Sequence, residues 1–385
     1  MSKTFKIVDL FAGPGGLDLA AQNLGVTVDR GIEFDPGACA TRKAAGLGTT
    51  PGDVRNFGPA DYPNANVLTG GPPCQTFSVA GKGEGRTALA EVENFADQYF
   101  KCFETRDIEG FKRIHDDLKQ LSDDRTGLVL EPLRWALEAL MGQNPYQAII
   151  LEQVPTVLPV WKKFANILEA TNSYAVAEPA VLHTEQFGVP QTRRRAIMIA
   201  RFTGPDAMLH GVPKQPGPTH QSYRKNVPRH VQGANIPGWV TMADVLKRHT
   251  PYEVKSNYGT GGDPEARGRR RHDNPSATVT GKASRNRLEW GGQEIGEFSL
   301  RELGELQTFP ADYPWRFIDR DGTERDAVDG NGKELPGVRS VISQQIGNAV
   351  PPRFGMHVLA AALDLRSDLL DDTTKPLTWK RPHTV

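Results

Sequence analysis

Short, wholly apolar runs alternating with stretches of helical period set the pattern of this chain. Residues 7–11, Ile-Val-Asp-Leu-Phe, are too few for a helix and read as a buried strand. Ala12-Gly13-Pro14-Gly15-Gly16 follows, then Leu17, Leu19, Ala20 and Leu24 at helical spacing. Residues 27–32 read as a second strand ending at Glu33, and Pro36 opens the next helix. Val67-Leu68 closes another buried strand, residues 148–151 are apolar throughout, and residues 196–200 repeat that pattern. Residues 131–140 carry a helical period between them. Strand, loop and helix in alternation predict an α/β fold, a doubly wound, mostly parallel, Rossmann-like sheet. Ser299, with Glu302 three residues on, predicts a capped helix over 298–303. Residues 353–366 predict a last apolar helix, and the tail after Asp371 is expected to be loose.

Two stretches interrupt the alternation. Residues 83–122 are charged, with Phe111, Ile114, Leu118 and Leu121 at i, i+3, i+7 and i+10, which predicts an amphipathic surface helix inserted into the sheet fold. Residues 204–240 are rich in Pro, Gly, His and Gln, and no acidic residue lies between Ala207 and Ala243. Lys214, Arg224, Lys225 and Arg229 lie there with Tyr223 and Trp239. A second basic cluster runs through Arg267, Arg269, Arg270, Arg271 and His272 to Lys282, Arg285 and Arg287. Basic, loop-rich sequence interrupted by aromatics suits a nucleic-acid groove. These breaks divide the chain into a catalytic and cofactor-binding domain (1–203), a smaller recognition domain (204–295) and a return segment (296–385) that completes the first domain.

Composition changes this picture little. A chain of 385 residues holds one large α/β domain and a smaller one. An apolar fraction of 38% with 24% charged residues is ordinary for a water-soluble protein. No apolar run approaches the ~20 residues of a membrane span, and the first residues lack a signal-peptide core, so a cytoplasmic location is expected. Three cysteines without paired spacing suggest neither a disulfide framework nor a metal site. The 46 basic residues balance 46 acidic ones, so any nucleic-acid surface must be local.

Candidate chemistry gathers at the ends of the predicted strands. In Gly70-Gly71-Pro72-Pro73-Cys74-Gln75-Thr76-Phe77-Ser78, two glycines permit a tight turn and two prolines stiffen it. The stiff loop presents one thiol, Cys74, and a thiolate is a strong nucleophile. Glu33 lies about 20 residues past the glycine loop, where an acid binds ribose hydroxyls. Asp53 follows a turn-rich segment and could accept from an adenine amino group. Glu152 ends an apolar strand, a place for a general acid. Arg193 and Arg195 alternate onto one face at the mouth of the next strand, where they could hold a carboxylate or phosphate.

Pro72-Pro73-Cys74-Gln75 resembles the nucleophile motif of the DNA (cytosine-5) methyltransferases. The glycine loop, Glu33, Asp53, the Gln191-Thr192-Arg193-Arg194-Arg195 run and residues 344–352 resemble other motifs of that family in the same order, so the resemblance covers residues 7 to 365. It implies S-adenosyl-L-methionine as cofactor, lined by Phe11, Gly13, Pro14 and Leu128. Glu33 would take its ribose and Asp53 its adenine, with Phe34 packed on the adenine. Pro73 would lie near the methyl, and Asn348 and Val350 would return to the pocket. The resemblance further implies that Cys74 adds covalently to a flipped cytosine, that Glu152 protonates the ring, and that Arg193 and Arg195 orient both. Double-stranded DNA would meet Gln75 and Ser78 in the catalytic loop. In the recognition region it would meet Arg224, Lys225, Arg229, Arg270 and Thr278, the last in a stretch resembling the family's Pro-x-x-Thr element. A restriction-modification setting, a separately acting endonuclease and a monomeric enzyme are the family-level expectation. Two departures stand out: the 83–122 insertion, and Gln153 where the family has Asn. A tRNA cytosine methyltransferase and a non-catalytic nucleotide- or DNA-binding protein are the alternatives on the same fold. The Cys-Phe-Thr tripeptide of the tRNA enzymes does not occur here.

Overall fold

The computed structural model describes residues 4–73, 84–119, 125–229, 235–256, 267–373 and 375–379. Its centre is a seven-stranded sheet. Chain order gives β1 (Lys6–Leu10), β2 (Thr27–Glu33), β3 (Thr49–Pro51), β4 (Val67–Gly70), β5 (Ala148–Gln153), β6 (Tyr174–His183), β7 (Gln191–Thr192) and β8 (Arg194–Phe202). Spatial order in the sheet is β3-β2-β1-β4-β5-β8-β6. Neighbours from β3 to β5 are parallel, and β8 runs antiparallel between β5 and β6. The mostly parallel sheet expected from the apolar runs is present.

Both faces of the sheet are covered, which is why its strands read as continuous apolar runs rather than alternating ones. Val8, Leu10, Leu68, Ile149, Leu151 and Met198 point to one layer of core. Ile7, Val67, Ala148, Ile150, Ile197 and Ile199 point to the other. The second layer is closed by α1 (Gly16–Asn23) and, from the far end of the chain, by a helix over Pro352–Leu363.

On the first face the insertion departs from expectation. Its two helices, Glu84–Thr105 and Ile108–Leu118, turn on Arg106, whose φ is +54°, and the Asp107 side chain caps the second. With α2 (Pro36–Ala44) before them these become α3 and α4. Phe111, Ile114 and Leu118 are buried as the period predicts, and Leu121 lies outside the described residues. They do not rest on the surface of a finished domain. With Val92, Ala96 and Tyr99 they join the main core beside α5 (Glu131–Met141) and α6 (Leu158–Ala170), and the Tyr99 and Phe111 rings lie 5.2 Å apart.

The recognition region also holds more order than its composition suggests. Strands β9 (Glu253–Lys255), β10 (Arg269–Arg271), β12 (Arg287–Trp290) and β13 (Gln293–Gly296) form an antiparallel sheet in the order β10-β9-β12-β13. The intervening β11 (Ser276–Ala277) pairs with β7 of the catalytic part. Strands of two to four residues are too short to show a period. The buried residues of this region do not stand alone. Val254 and Leu288 share one apolar cluster with Leu19 and Leu47 of the first motifs, and with Leu303 and Ile346 of α7 (Leu300–Leu306) and α8 (Val338–Asn348). The predicted cap of α7 is present: Ser299 Oγ accepts from the Glu302 N–H at 3.2 Å and Glu302 returns to the Ser299 N–H at 2.8 Å.

The chain after Asp371 is not loose in its described part. Leu377 is buried, Asn23 exchanges two hydrogen bonds with the Thr378 backbone, and Trp379 packs on Tyr313. Arg353, buried in the last helix, α9 (Pro352–Leu363), holds the Leu369 and Lys375 carbonyls.

Candidate active site

In an open α/β sheet a ligand sits beyond the carboxyl ends of the strands, where the strand order reverses. Here that point lies between β1 and β4. The sequence candidates occupy those ends: Phe11 to Pro14 after β1, Glu33 at the end of β2, Asp53 after β3, Pro73 after β4 and Glu152 near the end of β5.

The glycine loop is held in an open form by backbone conformations that suit glycine. Phe11, Gly13 and Gly15 have φ of +59°, +55° and +104°. A Cβ placed at Gly13 would meet nothing within 4 Å, so the loop lines open space there. Glu33 steadies this cradle by accepting from the Gly13 N–H at 2.7 Å through one oxygen and from the Asp35 N–H at 2.7 Å through the other. Burial pushes the Glu33 carboxyl pKa up, against these two bonds. Phe34 beside it is 75% exposed, a large apolar ring facing solvent at the rim. Val350 lies against the start of α1: its carbonyl would sit 2.1 Å from a Cβ at Gly16, so only glycine lets the two segments meet. Asn348 is exposed, and its Oδ1 accepts from Gln344 Nε2 at 2.9 Å. Leu128 is half-buried against the main core. The Asp53 carboxylate is already engaged by Arg55, at 2.6 Å. Burial alone would raise its pKa, but the bonds from Arg55 outweigh that and lower it.

Cys74, Gln75 and Ser78 lie outside the described residues, but the root of their loop is defined. Gly70 pairs with Leu151 in register, which sets Gly71 beside Glu152. A Cβ at Gly71 would lie 3.6 Å from both the Glu152 carbonyl and its Oε2. Glu152 is buried, and Arg195 Nε stands 2.7 Å from its Oε1, close in distance but without hydrogen-bond alignment. The Gln153 amide donates to the Pro72 carbonyl, and its own oxygen accepts from the Val154 N–H. The longer side chain thus still ties the Pro-Pro turn to β5.

Arg193 departs from expectation. Its guanidinium donates to the carbonyls of Val279, Gly347 and Ala349 at 3.0, 2.9 and 3.2 Å, and has no hydrogen bond to Glu152. The physical reason is a break between β7 and β8 at residue 193, which interrupts the alternation that would have placed both arginines together. Burial, then the charge of Arg195, disfavour its cation, and the charge of Glu152 opposes them. Gln191 joins the same seam, donating to the Leu306 carbonyl and accepting from the Val279 N–H.

The recognition candidates scatter likewise. Arg224 and Lys225 are exposed and make no ion pair among the described residues. Arg229 pairs with Asp244 at 2.6 Å. Arg270 lies 4.8 Å over the Tyr223 ring and donates to the Pro275 carbonyl. Thr278 donates to the Thr192 carbonyl at 2.7 Å. Part of the second basic cluster is paired: Arg269 bridges Glu253 and Glu289, Arg271 meets Asp273, and Arg287 meets Glu294 and Glu297. Sequence reasoning missed Arg42, fully buried and bonded to both oxygens of Asp18 at 2.8 Å. It also missed Tyr313, whose hydroxyl reaches Pro14. Their partners are distant in sequence, and no spacing announces them.

Among the described residues no group of His, Cys, Asp and Glu is arranged to hold a metal ion, and no helix is long and apolar enough to cross a membrane.

A glycine cradle at the sheet's reversal point, with a buried carboxylate beside the root of the Pro-Pro turn, has the form of an α/β fold that takes a ligand at its strand ends. The chain belongs to the C-5 cytosine-specific DNA methylases, whose family model matches residues 5–91 and 119–363. The unmatched interval falls within α3 and α4. Among its relatives, Type II methyltransferase M.NgoFVII of Neisseria gonorrhoeae is 25% identical over 94% of this chain and 87% of its own. Type II methyltransferase M.HpaII of Haemophilus parainfluenzae is 25% identical over 90% of this chain and 92% of its own. The crystal structure of the S. pombe Dnmt2 methyltransferase shares the fold, with a TM-score of 0.55 at 14% identity over 94% of this chain and 98% of that one.

Proposed function

We propose that this protein methylates carbon 5 of a flipped cytosine in a specific duplex DNA sequence through a covalent Cys74 adduct, as the modification partner of a separately acting restriction endonuclease. The observation that carries this reading is the placement of Glu152. It is a buried carboxylate whose Oε2 lies beside Gly71, three residues before the thiol in a loop that Gln153 ties to β5.

Cytosine carbon 5 is a poor nucleophile until a group adds at carbon 6. The Cys74 thiolate forms that bond, and the electron pair displaced from the ring is met at nitrogen 3 by a proton from Glu152. Arg195, at 2.7 Å, orients the carboxyl while leaving Oε2 toward the loop. Carbon 5, now enamine-like, forms the new bond to the methyl. Loss of its own proton restores the ring double bond and expels Cys74 as thiolate.

S-adenosyl-L-methionine supplies the methyl as an electrophile when bound. The residues fit it: the open loop at Gly13 accommodates the cofactor, Glu33 its ribose, Asp53 its adenine edge and the exposed Phe34 the adenine face. Leu128, Pro73, Asn348 and Val350 complete the pocket in this reading. Unstacking the target costs a few kcal/mol. Residues 204–295 offset that cost through DNA contacts, with Arg224 and Lys225, exposed and without an ion pair among the described residues, meeting phosphate.

Cys74→Ser should abolish methyl transfer and leave cofactor affinity nearly intact, because a hydroxyl is far less ionised than a thiol. DNA carrying 5-fluorocytosine at the target cannot lose fluorine as a proton is lost. It should therefore give an adduct stable to denaturing electrophoresis with the parent and none with Cys74→Ser. An adduct formed without Cys74, or activity within tenfold of the parent in Cys74→Ser, would refute the mechanism.

A further inference from the structure

The Pro14 carbonyl in the glycine loop accepts a hydrogen bond from the hydroxyl of Tyr313, 299 positions away in sequence. Tyr313 is 4% exposed and stands between α7 and a strand over Arg316–Ile318, in the apolar cluster shared with the recognition region. Its ring is caged by Phe309 and Trp315, each at 4.9 Å, and by Trp379 at 6.0 Å. Trp379 in turn donates to Asp312 at 3.1 Å. Under the loop the fit is tight. A Cβ at Gly15 would come within 3.0 Å of the Tyr313 oxygen and 2.3 Å of Leu47. The loop above is open at Gly13, where Glu33 holds the N–H, and Tyr313 is the side-chain partner of its Pro14 carbonyl.

We infer that Tyr313 is a positioning residue for cofactor binding: its hydroxyl fixes the Pro14–Gly15 peptide, so that the glycine loop is held in its receptive form by the lobe that carries the recognition segment. This rests on the proposed placement of the cofactor against Phe11 to Pro14. Burial pushes the Tyr313 phenol far above its ordinary pKa, so it remains a donor at any working pH. Without the hydroxyl, Pro14 loses a buried partner and the loop populates other conformations. Apparent affinity then falls by the fraction of loops still receptive. Once the cofactor is bound, the chemistry at Cys74 and Glu152 is untouched.

Tyr313→Phe removes one oxygen and keeps the ring packing. In the full-length protein it should raise the Kd for S-adenosylhomocysteine, by calorimetry, and the KM for S-adenosylmethionine by about five- to tenfold, the effect of one buried hydrogen bond. The kcat at saturation and DNA affinity should stay within twofold. Trp379→Leu strips the cage but spares the hydroxyl, and should leave cofactor affinity within twofold. Equal losses in the two variants would show that packing rather than the hydroxyl matters, and would overturn the inference. So would a Tyr313→Phe loss confined to kcat or to DNA binding, or no loss at all. Glu33→Ala separates this from the underlying reading. If Glu33→Ala weakens the cofactor and Tyr313→Phe does not, only the role of Tyr313 fails. If neither does, the pocket itself is misplaced.

Discussion

Asp9 illustrates how a single side chain in the sheet can set a pH response. It lies on β1 opposite Thr69 of β4, is 2% exposed, and accepts from the Thr69 hydroxyl at 2.5 Å. Burial, then the charge of Asp18, push its carboxyl up to about 7, opposed by the Thr69 hydrogen bond and then by the charge of Arg42. An acid whose folded pKa exceeds its unfolded value binds an extra proton when folded. The stability it contributes is therefore complete below about pH 4 and is lost as pH rises through about 7. Asp9→Asn keeps an acceptor for Thr69 and removes the titration. Its melting temperature relative to the parent should climb by about 2–4 °C between pH 5 and pH 8, and a difference that does not vary with pH would rule this out. At this scale the sequence was legible where chemistry follows local spacing. Glu33, Glu152 and Gln153 lie at the strand ends where the apolar runs put them. Arg193 was not legible, because a one-residue break in a strand sends it into a seam of carbonyls. Arg42 and Tyr313 were not, because their partners lie far along the chain.

Among the elements, the strands of the large sheet were readable because burial on both faces leaves nothing but apolar residues in them. The four short strands around Val254 and Leu288 were not, since three or four residues cannot display a period. The periodicity of α4 was read correctly and its setting was not, because an apolar stripe says that a helix face is buried without saying against what. That setting has a measurable weight. Phe111 is 4% exposed, packed on Tyr99 in the main core, although it falls in the interval that the family model leaves unmatched. Phe111→Ala should cost about 3–5 kcal/mol in urea unfolding, as a core cavity does. Ile108→Ala, on the 64% exposed side of the same helix, should stay within about 0.5 kcal/mol. Equal small effects would return the insertion to the status of a surface appendage.

The molecule as a whole is interlocked rather than strung together. If residues 204–295 read the DNA sequence, transplanting them from a relative of different specificity should transfer its target. Met242, Val254 and Leu288 should be retained, since they share a cluster with Leu303 and Ile346 outside the segment. Bisulfite sequencing reads the outcome, and a folded, active chimera with the parent's methylation pattern would refute the assignment. The same interlocking governs how the chain is born. Helix α1, next to the cofactor loop, is roofed by α9, abutted by the Val350 carbonyl and tied through Asn23 to Thr378. A polypeptide emerging from the ribosome makes its glycine loop first and the parts that finish it last. Folding thus depends on closing contacts across nearly the full length of the chain, a slow kind of assembly. A nascent chain cut short before residue 350 would carry Cys74 and Glu152 while its glycine loop still lacked the segments that close around it.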